Sequence, residues 1–367
     1  MKKISSFLLV LTLIFSACSS DDGGGGINPD NFDREGMLKN WADNIIVPSF
    51  ENFSNSTQNL EDKTNAFVAD PSEANLIELR AAFETAYLDF QTVSMFQIGK
   101  AMELNFRNYL NTYPANVANI ESKIDAGDYN LSLPSSYAEQ GFPALDYLLY
   151  GVAGTDAEIV SVYGSEKYQN YLKDVASRIN SLSLEVNTAW QGELRDNFVS
   201  NTSSSSTGSI DIFTNDYIMY FEKFIRSGKI GYPAGAFTGD PMPQNVEAYY
   251  AGDLSKKLYV RALENFQNFF NGKHFGSSER GKSYSQYLDY MESMKESTEL
   301  SALINSQLDL ILSQAETLDT NLKSQVETNN TNMLEAFDEL QKAVVLLKVD
   351  MIQALYIGVD YVDSDGD

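Results

Sequence analysis

The sequence predicts an all-α protein built from antiparallel helical bundles. Apolar residues recur three and four positions apart over long stretches, and alternating runs of the strand type are few. The tract NTSSSSTGS at 201–209 breaks this periodicity, and a chain of 367 residues has room for two hydrophobic cores. We therefore predict an N-terminal helical-bundle domain at 36–205 and a C-terminal helical-bundle domain at 206–367.

The first residues have the order of a bacterial lipoprotein leader. Lys2 and Lys3 precede an apolar run at 7–15 that is too short to span a bilayer, and small residues then lead to Cys18, the single cysteine of the chain. We predict a signal peptide at 1–18 with Cys18 as the lipidated residue. An ordinary cleaved signal with an incidental cysteine is the alternative.

The stretch 19–35, which follows Cys18 and includes four consecutive glycines, is typical of a flexible tether. No later apolar run reaches the roughly twenty residues that a membrane-spanning helix needs. The prediction is an outer-membrane lipoprotein of the cell envelope, facing the periplasm or exposed on the surface, which contacts the membrane through the lipid on Cys18.

The helices of the first half are predicted from their apolar stripes. From Pro71 onward, one helical face is formed by Leu76, Leu79, Phe83, Tyr87 and Phe90. A second long helix is predicted from Glu166 to Phe198.

In the second half, a helix is predicted over 210–225, and an irregular segment rich in glycine and proline over 228–243. Helical periodicity resumes at Val246. Asn332 and Glu335 have the spacing of a capping box at the start of the last helix. Two apolar stripes support the later helices: Ile304, Ile311, Ala315, Leu318 and Leu322, then Met333, Phe337, Leu340, Val344, Leu347 and Met351.

The charge of the chain excludes one class of partner. Its 51 acidic and 26 basic residues give a formal net charge of −25. Such a chain is repelled by nucleic acid and has no basic stripe that would follow a phosphate backbone, so no nucleic-acid partner is expected. Attraction to cations is compatible with this charge, although acidity also serves solubility.

The segment QGFPALDYLLY at 140–150 is the most informative motif. It resembles the Gly-x-His-x-x-Glu segment of the imelysin-like proteins, with Gly141 in register, Pro143 at the histidine position and Asp146 at the glutamate position. A His and a Glu three residues apart on a helix share one face, so they could hold a metal or a proton together. Proline can do neither, although its missing N–H is harmless in a first helical turn.

Further segments resemble the same family in the same order and extend over nearly the whole chain beyond the leader. They are NWADNIIVPSF at 40–50, LRAAFETAYLDFQTVSMFQIG at 79–99, RNYLNTYP at 107–114 and SGKIGYP at 227–233. The resemblance implies two helical-bundle domains that face each other across a cleft, and a periplasmic or surface role tied to iron acquisition. It also implies a metallopeptidase label, which rests on the His and the Glu that are absent here.

Asp146 and Arg107 are the candidate site residues of the first half. Asp146 is either a carboxylate in the interdomain cleft that binds a cation or a substrate amine, or an internal partner of an Arg or Lys that holds the domains together. Arg107 is either that buried partner or part of a solvated face.

Lys229 and Glu247 are the candidates of the second half. Lys229 precedes Pro233 in glycine-rich backbone, where loops often carry function. Glu247 is expected near the beginning of a helix, where the helix dipole alone favours a carboxylate. Asp146 and Glu247 are the candidate metal ligands, because carboxylate oxygens suit calcium, magnesium or ferric iron. No cofactor is indicated beyond iron or another divalent or trivalent cation.

His274, the only histidine, is expected at a helix end, with metal ligation as the alternative. One histidine without a second cysteine cannot assemble the usual zinc-hydrolase sites. The terminal DSDGD at 363–367 lacks the downstream Glu of a calcium loop, so we expect a solvated tail or a tail that docks onto the second bundle.

Three functions compete. The predicted one is a non-catalytic lipoprotein that captures iron, an iron complex or an iron-carrying protein, with outer-membrane uptake proteins as possible partners. A metallopeptidase is the second, and Pro143 argues against it because a catalytic metal normally needs three protein ligands. The third is an interaction scaffold with a tyrosine docking patch, comprising Tyr249, Tyr250, Tyr284, Tyr287 and Tyr290. The alternative is that these tyrosines are core or helix-packing residues.

Overall fold

The computed structural model describes residues 31–361. The predicted signal peptide with Cys18, the tether up to residue 30 and the C-terminal residues 362–367 lie outside the described residues. The first helix begins at Arg34, so the last two residues of the predicted tether, 34 and 35, are helical.

The all-α fold class is confirmed, and most helices are joined by short polar connections. In the first half the α-helices are α1 (Arg34–Trp41), α2 (Val47–Ala69), α3 (Glu73–Val93), α4 (Lys100–Glu103), α5 (Phe106–Leu110), α6 (Val117–Ala126), α7 (Gly141–Tyr150), α8 (Asp156–Val162), α9 (Glu166–Trp190) and α10 (Glu193–Ser200). A π-helical turn, Ala42–Ile46, joins α1 to α2, and a 3-10 helix, Pro134–Glu139, precedes α7.

The second half continues with α11 (Ser209–Met219), α12 (Tyr232–Ala234), α13 (Ser255–Phe270), α14 (Tyr284–Tyr290), α15 (Leu300–Glu316), α16 (Leu322–Thr328), α17 (Asn330–Val344) and α18 (Ile352–Ala354). Two π-helical segments, Tyr220–Gly231 and Val345–Met351, extend α11 and α17, and Pro243–Asn245 and Gly252–Leu254 are 3-10 turns. The strands β1 (Met294–Lys295) and β2 (Thr298–Glu299) form an antiparallel hairpin that pairs residue 294 with 299 and 295 with 298. Among the described residues no helix is both long and apolar enough to cross a membrane.

Local signals in the sequence explain several helix ends. The Ser72 hydroxyl accepts a hydrogen bond from the Asn75 N–H at the start of α3, and Thr155 forms a capping box with Glu158 at the start of α8. Helix α6 is capped by Gly127, whose φ of +66° places it in the left-handed region that glycine adopts freely.

Aromatic side chains form much of the core. Phe142 of α7 stacks on Tyr87 of α3 with ring centroids 4.5 Å apart, so the motif helix is packed directly against the predicted stripe. Trp41 of α1 is fully buried among rings of the second half, and its centroid lies 4.7 Å from that of Tyr284 and 5.0 Å from that of Phe269. Burial of such a side chain contributes roughly 1.5–3 kcal/mol.

The buried apolar residues form one continuous cluster, and α3 packs directly against α13. The two stretches predicted as separate bundles therefore share an apolar interface. Their division at residue 205, and the cleft between them, stay predictions.

Four details of the predicted helices were wrong. Helical structure was expected to resume at Val246, but it begins only with the 3-10 turn Gly252–Leu254 that leads into α13. The helix expected over 166–198 is broken between α9 and α10, where Gly192 interrupts it. The helix expected over 210–225 continues as a π-helix to Gly231, so the first part of the predicted irregular segment is helical. Helix α17 begins at Asn330, with no side-chain cap, so the capping box proposed for Asn332 and Glu335 does not form.

Candidate functional site

Helix α7 begins with a backbone conformation that only glycine fits. Gly141 has a φ of +73°, and a Cβ atom there would lie 2.3 Å from the carbonyl oxygen of Leu110. Pro143 is the third residue of α7, where no N–H is needed for the helical ladder. The predicted short helix that starts at this motif and carries Asp146 is confirmed.

Asp146 lies on α7 with only 2% of its surface exposed. Its Oδ2 atom accepts a hydrogen bond of 2.9 Å from the backbone N–H of Tyr250, and its Oδ1 atom accepts one of 2.7 Å from the N–H of Ala251. The carboxylate thus holds the segment that precedes α13. Burial raises the pKa of Asp146 to about 7; the two N–H donors oppose this rise and the nearby charge of Glu247 adds to it.

Arg107 is buried and pairs with Asp216, so both alternatives for it, a partner of Asp146 and part of a solvated face, were wrong. Its Nη2 atom lies 3.1 Å from the Oδ2 atom of Asp216, and its Nε donates to the carbonyl oxygen of Ser94 at 2.7 Å. The guanidinium also lies over the ring of Phe224, 4.4 Å from its centroid. Both charged groups are buried, and burial raises the pKa of Asp216 despite the opposing effect of Arg107.

Lys229 and Glu247, predicted independently, form a buried ion pair in which each residue is 3% exposed. The Lys229 Nζ donates to the Oε2 atom of Glu247 and, at 2.9 Å, to the Oε1 atom of Gln91. The Nδ2 atom of Asn111 donates to the Oε1 atom of Glu247 at 2.7 Å. Burial lowers the pKa of Lys229, and the adjacent Glu247 carboxylate opposes that effect.

The backbone around this ion pair differs from the prediction. Lys229 lies in the π-helical extension of α11, not in irregular backbone. Glu247 lies eight positions before the first residue of α13, Ser255, and the next residue, Ala248, has a φ of +55°. The helix-dipole explanation for Glu247 was therefore wrong, and its contacts with Lys229 and Asn111 explain its burial.

A cavity of about 200 Å³ opens beside the motif helix and is lined by Pro143 and Asp146 together with Tyr113, Val246 and Tyr250. A neighbouring cavity of about 250 Å³ shares the wall formed by residues 113 and 114. Lys229 and Glu247 line neither cavity. Of the two predicted carboxylates, Asp146 and Glu247, only Asp146 lines the pocket.

The side chains that could donate ligands decide whether this site can hold a metal ion. Across residues 31–361, no three His, Cys, Asp or Glu side chains cluster closely enough to hold a metal ion. Both oxygens of Asp146 already accept backbone N–H groups, and both oxygens of Glu247 accept side-chain donors. These two residues do not by themselves form a site for a bare cation, and their role as metal ligands stays a prediction.

His274 lies beyond the helix end at which it was expected, because α13 ends at Phe270. Its Nδ1 atom is 3.6 Å from the Oε2 atom of Glu279, and its backbone N–H donates to the Glu279 carbonyl oxygen at 2.9 Å. It contributes nothing to the pocket beside α7. The acidic tail at 363–367 lies outside the described residues.

The predicted tyrosine docking patch was wrong as a single exposed surface. Tyr284 and Tyr287 are at most 2% exposed, whereas Tyr290 is 47% exposed. Tyr249 and Tyr250 lie beside the cavity of Asp146 instead. The periodicity of a helix places residues 284 and 287 on one face, and that face is turned into the core.

Sequence reasoning missed three polar residues that complete the site. Gln91 bridges Lys229 and Glu247, Asn111 donates a hydrogen bond to the Glu247 carboxylate, and Asp216 pairs with Arg107. Gln91 carried a usable signal, since it follows Tyr87 by four positions on the apolar stripe of α3, and a buried polar side chain needs a partner. Asn111 and Asp216 carried none.

Comparisons with known proteins agree with the geometry of the fold. The sequence profile of the imelysin family (peptidase M75) matches residues 46–349. A search of curated proteins finds no match. A solved structure from Parabacteroides distasonis ATCC 8503, described as an iron-regulated protein A precursor, is similar with a TM-score of 0.70 and 16% identity, over 87% of this chain and 95% of that one. An imelysin-like protein from Psychrobacter arcticum 273-4 gives a TM-score of 0.67 and 15% identity, over 89% and 97% of the respective chains.

Proposed function

This chain belongs to the imelysin family, and from that premise we propose that it is a non-catalytic binding protein of iron uptake, held at the outer membrane by a lipid on Cys18. Its ligand is an iron complex or an iron-carrying protein, with outer-membrane uptake proteins as partners. The association with iron is supported by the family and by the description of the Parabacteroides distasonis protein as iron-regulated.

The cavity lined by Pro143 and Asp146 is the observation that carries the binding role. At the position where the family motif has histidine, Pro143 offers no atom that binds a metal or moves a proton. Asp146 already satisfies two backbone N–H groups, so it cannot by itself supply the three ligands and open position of a hydrolytic zinc site. A ligand that brings its own coordination shell, such as a chelated iron, suits this cavity better than a bare ion.

Calorimetric titration of residues 28–367 tests the proposal with ferric citrate, Fe(II), Zn(II), Ca(II) and haem. We expect saturable binding of an iron complex that Asp146→Ala and Asp146→Asn both weaken. Asp338→Ala, which removes an exposed carboxyl from α17, is the matched control and should bind as the wild type does. Binding by none of these ligands would sink the direct-binding form of the proposal.

Two further measurements test the non-catalytic role and the lipid anchor of the proposal. Chelator-sensitive proteolysis by the purified protein, lost in Asp146→Asn, would replace the binding role with the metallopeptidase alternative. Metabolic labelling with palmitate should mark the wild-type protein and leave Cys18→Ser unlabelled. A labelled serine variant, or an unlabelled wild type, would remove the lipid anchor from the proposal.

A further inference from the structure

A third cavity, of about 430 Å³, lies between the C-terminal half of α13 and the loop that follows it, and shares no lining residue with the pocket of Asp146. Arg261, Lys273 and His274 line it together with the hydroxyl-bearing Ser277 and Ser278. No Asp or Glu of the described residues is part of its lining. In a chain with twice as many acidic as basic residues, such a wall is an unusual local concentration of positive charge.

The cations of this wall are poorly compensated by the protein itself. Arg261 and Lys273 form no ion pair within 4 Å with any carboxylate in the described part of the chain. The acidic groups near them include Asp89, which interacts with Arg261 electrostatically, and Glu264, which lines a different cavity together with Arg261. Glu279, whose side chain is 80% exposed, lies 3.6 Å from the Nδ1 atom of His274. A bound oxyanion would supply the missing charge and accept hydrogen bonds from the guanidinium and the ammonium.

His274 also presents a polar atom that the protein leaves unsatisfied. Its Nε2 atom is buried and forms no hydrogen bond with any described residue. Buried ring nitrogens normally have a partner, and the imidazole of His274 lines the cavity. Because almost none of its surface is accessible, Nε2 reaches a bound anion only after the imidazole turns toward the cavity.

The loop that carries His274 is held in place from several sides. The N–H of Phe275 donates to the carbonyl oxygen of Asn44 at 2.8 Å, and the Nδ2 atom of Asn40 donates to the carbonyl oxygen of Gly272. A Cβ atom at Gly281 would lie 2.2 Å from the Asn40 side chain, so the loop packs tightly onto the end of α1. The cavity is therefore preorganised, so ligand binding costs little conformational entropy for ordering the loop.

We propose that this cavity binds a small organic oxyanion with more than one negative charge, a polycarboxylate or a phosphate monoester. Its volume falls in the range of about 300–1,000 Å³ that is typical of small-molecule sites. Phe269 and Phe275 give it an apolar wall for the carbon skeleton of the ligand, while the three basic groups hold the charge. This site is independent of the iron-binding proposal, since it uses none of the same residues.

NMR of the imidazole tests this proposal directly, because the tag-free protein has one histidine and gives one set of ring signals. Residues 19–367, which retain every described residue, are titrated at constant ionic strength with citrate, glycerol phosphate and acetate. We expect saturable shifts of the His274 signals with citrate or glycerol phosphate, and none with acetate. Saturation by only one of the two assigns the carboxylate or the phosphate class.

Charge-matched variants distinguish a specific anion-binding site from nonspecific electrostatic attraction of anions to the protein. Arg261→Gln and Lys273→Gln should each weaken binding by about tenfold. Arg280→Gln removes the same charge from the same loop, but residue 280 is exposed and does not line the cavity, so binding should change less than about twofold. Lys273→Gln keeps the test decisive if Arg261→Gln fails to fold, which thermal unfolding reveals.

Two results would overturn the proposal: no saturable shift with either ligand at millimolar concentration, or equal weakening in Arg280→Gln and Lys273→Gln. Asp146→Ala should leave anion binding unchanged. That variant therefore distinguishes a failure of the iron-binding proposal from a failure of this one.

Discussion

Ionisation of Asp146 should make the fold less stable as the pH rises from about 5 to about 8. Burial raises the pKa of this carboxyl from 3.8 to about 7, whereas the unfolded chain keeps the ordinary value. Between these two values the native state binds more protons than the unfolded state, so the free energy of unfolding falls as pH rises through the window. Proton linkage over this interval gives a loss of about 2.5 kcal/mol from this one group.

Urea unfolding of the wild type and of Asp146→Asn at both pH values isolates that loss. The amide does not titrate, and its oxygen still accepts a hydrogen bond from the N–H of Tyr250 or Ala251. All other carboxyls are common to both proteins. Between the two pH values, the free energy of unfolding of the wild type should therefore fall by about 2.5 kcal/mol more than that of the variant. Asp338→Asn, at an exposed position, should follow the wild type. Equal losses in wild type and Asp146→Asn would refute the reasoning and show that the two N–H donors outweigh burial.

The remaining predictions concern the ion pair and the start of the motif helix. Lys229→Met leaves the Glu247 carboxylate buried without its cation, so the free energy of unfolding in urea should fall by about 3–5 kcal/mol. Lys229→Met/Glu247→Leu removes the unpaired charge and should recover much of that loss. A double variant no more stable than the single variant would contradict this. Gly141→Ala should cost at least about 2 kcal/mol in thermal unfolding, because its Cβ would meet the Leu110 carbonyl oxygen at 2.3 Å. Gly127→Ala, also at positive φ but in open space, should cost only about 1 kcal/mol, and similar losses in both would count against a steric cause.

The helical class was predictable because burial follows local periodicity. The stripe from Leu76 to Phe90 is buried along α3, and the stripe from Met333 to Leu347 is largely buried along α17 and its π-helical extension. Periodicity failed where the backbone departs from regular α-helix. Gly228 and Gly231 look like helix breakers in the sequence, yet tertiary packing keeps them in a continuous π-helix.

Sequence reasoning singled out four charged residues of the candidate site, but it predicted neither their pairings nor the polar residues that complete the network. Lys229 and Glu247 were singled out separately, and the fold brings them together. Arg107 was assigned the wrong partner because sequence spacing does not determine which charges meet across a core; the position of α5 beside α11 gives it Asp216. Gln91 completes the ion-pair network although it belongs to no recognisable motif.

The position of Trp41 has a consequence for the order in which the chain is made. This side chain belongs to the first helix to leave the ribosome among the described residues, yet its ring neighbours Phe213, Phe269 and Tyr284 are synthesised much later. Such long-range contacts form late, and until they form an indole that the finished protein buries completely stays accessible. Helix α1 therefore cannot complete its packing until the second half of the chain has been synthesised. A fragment that ends before Phe213 exposes a surface that chaperones recognise.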